Sequence, residues 1–194
     1  MSEEGKNILN LFKQVRAFCV QVSNLLLTVD EQMGAEGLES YNNTAIAYSS
    51  ASIMNPKQWV PDSFFRFYNL KEHKNVLVFV SILADDDVSQ QYKLKLNEPL
   101  ITAGFFDYGK GKEVGDNFDY WYSSWLGYIA NYIEDGKIYE SKSSWKEDEK
   151  EDYPFESWKC FGLPLISINK AQDVSSKITK PLVNLLPSSV VSHK

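Results

Sequence analysis

The sequence predicts an α+β fold: a long N-terminal amphipathic helix and a C-terminal helix packed on a largely antiparallel sheet of about five to seven strands. Three observations carry this. An apolar stripe of helical period runs from Ile8 to Val29, a block of β-branched and aromatic runs occupies the middle of the chain, and a second helical period closes it at 171–186. The whole of residues 1–194 reads as one such domain, ending in a frayed tail at 187–194.

In the first element, Ile8, Leu11, Phe12, Val15, Phe18, Cys19, Val22, Leu25, Leu26 and Val29 recur every three or four residues. One face of a helix of about seven turns therefore carries all of them. Such a helix must lie along a sheet, a second helix or another copy of itself, because its apolar face needs cover. Leu9, Val20 and Leu27 lie off that face, so the helix is expected to meet two surfaces. Gly34, Gly37 and Ser40 then end the pattern.

Strands follow. Segment 43–54 holds Thr44, Ile46, Tyr48 and Ile53 among small polar residues, and 58–68 is an aromatic run interrupted by Pro61. The run Val76 to Ala84 is continuously apolar and rich in β-branched residues, which predicts a central strand covered on both faces. Asp85-Asp86-Asp87 ends it, and Tyr92, Leu94 and Leu96 then alternate with lysines, so 91–96 is expected to pair antiparallel with 76–84. Residues 99–106 make another strand before a loop holding Gly109, Gly111 and Gly115.

A helix beginning near Asn117 or Asp119 would align Trp121, Trp125, Tyr128 and Tyr132 on one side and stop at Asp135-Gly136. A short strand at 137–141, a charged loop at 146–152 and a last strand from Trp158 to Ile168 come next. The closing helix places Val174, Ile178, Leu182 and Leu185 at nearly regular fours, and Pro181 in its interior demands a kink or a late start.

Composition bounds the function. A net charge of -6 argues against nucleic acid and anionic lipid as partners, since both require a positive field. No run of about 18 uncharged apolar residues suggests a membrane span. The start Met-Ser-Glu-Glu-Gly lacks a basic segment leading into an apolar core, so the expected compartment is the cytoplasm and the sequon Asn42-Asn43-Thr44 carries no glycan. There, Cys19 and Cys160 read as reduced thiols in apolar settings.

No catalytic signature emerges. Gly104 to Lys110 has the spacing of a phosphate-binding loop, but Gly111 replaces the Ser or Thr that would hold magnesium and three aromatics fill the interval. It reads as a glycine-rich hairpin loop. Asp85, Asp86 and Asp87 lie where carboxylates gather for a divalent metal after a strand. Asp62, Glu72 and Lys74 echo a nuclease pattern, although Glu72-His73-Lys74 reads as a turn. His73 and His193 are the only histidines, which leaves little for nucleophilic catalysis and nothing with the short ligand spacings of structural zinc.

The reading that best accounts for this inventory is a non-enzymatic binding or assembly protein with no cofactor. Its N-terminal helix and aromatic-rich surfaces, with Trp59, Phe65, Trp121, Trp125 and Tyr128 as binding residues, would make homo-oligomer or protein-partner contacts. The alternatives are a metal-dependent hydrolase or nuclease using Asp85, Asp86 and Asp87, and a small-ligand sensor with an aromatic-lined pocket.

Overall fold

The computed structural model describes residues 2–41, 46–47, 53–54, 60–61, 63–84, 98–115, 133–141 and 154–187. Helix α1 spans Glu3–Ala35. Its start is set by Ser2, whose hydroxyl accepts the Gly5 N–H at 3.1 Å, and by Glu3 and Glu4 at the positive end of the helix dipole. Gly34, expected to break the period, lies inside the helix. The chain turns at Gly37, whose φ of +85° suits a residue without a Cβ.

Among the described residues seven strands follow in one sheet: β1 (Leu38–Ser40), β2 (Ile46–Ala47), β3 (Ser63–Leu70), β4 (His73–Leu83), β5 (Leu100–Asp107), β6 (Ile138–Glu140) and β7 (Ser157–Pro164). Their order is β1-β3-β4-β5-β7-β6, all neighbours antiparallel, with β2 pairing the other end of β3. The α+β architecture with an antiparallel sheet is thus as the sequence predicts. Several details differ. The aromatic strand starts at Ser63 and runs on to Leu70, because the two-residue turn Lys71-Glu72 joins it directly to β4. His73 and Lys74 accordingly belong to β4 rather than to a turn.

Both edges of β4 are taken, by β3 and by β5. The sequence expects the run at 91–96 in one of those places; that run lies outside the described residues, as do the helix expected from Asn117 or Asp119 and the charged loop at 146–152. The last strand ends at Pro164, earlier than Ile168: the Leu165 N–H still donates to Pro99 O at 2.8 Å, but Pro99 has no N–H to return the bond, and Leu165–Ser167 form a 3₁₀ turn instead.

The C-terminal helix, α2, is continuous through Ala171–Val174, a π segment at Ser175–Thr179 and Lys180–Leu185. The π turn is how the chain accommodates Pro181. Proline cannot donate to the carbonyl four residues back and its ring crowds that carbonyl. Widening the preceding turn, seen where the Lys180 N–H reaches Ser175 O, relieves that conflict without breaking the helix.

Two cores result. On the helix side of the sheet, Val22, Leu26, Val29 and Met33 of α1 and Val174, Ile178 and Leu182 of α2 bury against one face of β3, β4, β5 and β7. On the other side Phe65, Phe67, Phe79, Phe106, Phe155 and Trp158 form an aromatic cluster around Cys160. Burial on both faces explains why β4 is apolar at nearly every position from Val76 to Leu83.

Candidate functional site

Helix α1 is longer than its support. Its 33 residues extend about 50 Å at 1.5 Å per residue, whereas an eight-residue strand such as β3 spans about 27 Å. The excess is at the N-terminal end. The helix meets the core at Phe18 and Cys19, which are half-buried, with the Phe18 ring 6.0 Å from that of Phe64 in an edge contact. From Glu3 to Ala17 no residue is buried. Ile8, Leu11 and Phe12 are 59%, 60% and 58% exposed, and Leu9 is 47% exposed.

At 100° per residue, Ile8, Leu11 and Val15 fall on the same face as Val22, Leu26, Val29 and Met33. A single stripe therefore serves as core in its second half and faces solvent in its first. Large apolar side chains clustered on one exposed surface mark a contact surface more often than chance exposure does.

A polar lock fixes the direction of α1. Arg66, 8% exposed on β3, donates from Nε to Asp30 Oδ1 at 3.0 Å and from Nη2 to Asp30 Oδ2 at 2.7 Å. The Tyr68 hydroxyl donates to the same Oδ1 at 2.7 Å. Two parallel bonds define the guanidinium plane as well as its distance, which one point contact would not do. Burial alone would lower the Arg66 pKa; the hydrogen bond and charge of Asp30 outweigh it and move it up. Burial, followed by the bond to Asp30 and its charge, drives the Tyr68 phenol well above its usual value, so it stays a donor.

A second tie holds α1 to α2. Gln32 Nε2 donates to Ala171 O at 3.2 Å, and Gln32 Oε1 accepts from the Thr179 hydroxyl at 2.9 Å. Because both ties lie in the last two turns of α1, the free half is carried as a rigid extension of an anchored rod.

Phe65, expected at a binding surface, is 5% exposed and packs with Phe67 at a ring separation of 5.0 Å in the aromatic core. Its alternation with Phe64, which faces the helices, sends it to the far side of the sheet. Trp59, Trp121, Trp125, Tyr128 and the candidate metal ligands Asp62, Asp85, Asp86 and Asp87 lie outside the described residues. Among the described residues no group of three His, Cys, Asp or Glu side chains could hold a metal ion. Lys74 pairs with Glu113 at 3.5 Å.

The glycine-rich segment does not form a phosphate cradle. Gly104 sits inside β5 opposite Cys160, and no helix begins between Lys110 and Gly115. The turn is organised by Asp107, which accepts from Asn75 Nδ2 and from the Gly109 N–H, each at 2.8 Å, and by a Lys112 to Glu156 ion pair at 3.1 Å.

The Asp30, Arg66 and Tyr68 lock is what sequence reasoning missed. A signal is present: Arg66 interrupts an aromatic strand between Phe64 and Tyr68 on their own face, and a cation on a covered face requires a carboxylate partner. Among the described residues no helix is long and apolar enough to cross a membrane. Searches of protein-family models, of curated proteins and of solved structures return no match to this chain.

Proposed function

We propose that the protein is a non-enzymatic binding or assembly module whose docking element is the N-terminal half of α1. The observation that carries this reading is the exposure of Ile8, Leu11 and Phe12 on the face that becomes core from Val22 onward. An apolar helix face without cover costs free energy in the isolated chain, and occupation by a protein partner recovers it. The lock at Asp30 and Arg66 supports the same reading, because a docking rod held at a set angle loses less entropy on binding than a loose one. Trp59, Trp121, Trp125 and Tyr128 are further candidate contacts under this reading.

The test is in-cell photo-crosslinking with p-benzoylphenylalanine in place of Phe12, which is exposed and so tolerates the change. Discrete protein adducts that disappear when Leu11→Glu is added are the expected result. Absence of any adduct from position 12 at native expression would overturn the reading.

A further inference from the structure

We draw no further inference here: the strongest candidate, the exposed apolar face that Ile8, Leu11 and Phe12 form on the N-terminal half of α1, carries nothing beyond the docking role already proposed, because nothing in the structure shows what covers it.

Discussion

Arg66 on β3 and Asp30 on α1 face each other as a planar, two-bond pair, Nε to Oδ1 at 3.0 Å and Nη2 to Oδ2 at 2.7 Å, at the seam between helix and sheet. The guanidinium side chain is 9% exposed and the carboxylate 26%. The pair is thus partly desolvated, and removing one member leaves the other charge without its partner. Asp30→Ala is expected to destabilise by about 2 kcal/mol, below the range for fully buried pairs because Asp30 retains some solvent. The double variant Asp30→Ala with Arg66→Met should lose less than the sum of the two single changes. A double-mutant cycle from urea melts measures this, and additivity would show that the pair is not coupled.

Helix α1 supplies an internal control for the difference between its halves. Leu26 is 3% exposed and Leu11 is 60% exposed on one helix and nearly one face. Leu26→Ala should cost about 2–5 kcal/mol through lost transfer energy and a residual cavity. Leu11→Ala should change the stability of the dilute protein by no more than about 0.5 kcal/mol. Equal costs would mean that the N-terminal half is covered within a single chain.

How far the sequence alone can reach is clear from the same helix. The length and phase of the stripe are legible because helical periodicity is a local property of the chain. The point where α1 leaves the sheet is not, since Ile8, Leu11 and Val15 look no different from Val22, Leu26 and Val29; only the shorter reach of the strands separates them. Phe65 shows a second limit. In a strand covered on both sides hydrophobicity does not alternate, so Phe64 and Phe65 read alike although they enter different cores. The Arg66 to Asp30 pair spans 36 positions, and no local pattern encodes such a contact. Pro181 is legible as a disturbance, but its π-turn solution depends on the helix being held against the core through Ile178 and Leu182.

Two glycines respond to alanine in opposite directions. A Cβ on Gly104 would stand 2.2 Å from the Lys159 carbonyl oxygen and 2.7 Å from Cys160 Cβ, so β5 and β7 would have to separate. Gly104→Ala should therefore destabilise by about 1–3 kcal/mol, the usual cost of overpacking. Gly34 lies inside α1, where an added Cβ would meet nothing within 4 Å, and Gly34→Ala should stabilise by about 0.5–1 kcal/mol through helix propensity and a less disordered unfolded chain. Thermal melts of both variants check the opposed signs.

The two thiols should differ sharply in reactivity. Cys160 is fully buried in the aromatic core and burial drives its pKa well up, whereas Cys19 is half-buried at the point where α1 reaches the sheet. The thiolate is the reactive form, so an aromatic disulfide reagent should modify one equivalent quickly in the native protein. The second equivalent should appear only at the rate of unfolding and vanish in Cys160→Ser. Two fast equivalents would place Cys160 within reach of solvent.

Asp173 makes a specific pH dependence. Its Oδ2 accepts the Asn169 N–H at 3.0 Å at the start of α2, and that bond chiefly, opposed by desolvation and helped by the charges of Lys177 and Lys170, holds its carboxyl below the ordinary 3.8. A carboxylate whose pKa is lower folded than unfolded stabilises the fold above the unfolded value and loses that contribution as pH falls through the folded one. The stability difference between wild type and Asp173→Ala should therefore be level above about pH 5 and shrink steadily below about pH 4. Urea melts across that range measure it. A difference that is unchanged down to full protonation would mean that the hydrogen bond does not depend on the charge, and a carboxyl carbon titration by NMR with its midpoint at or above 3.8 would show that the bond is not formed in solution.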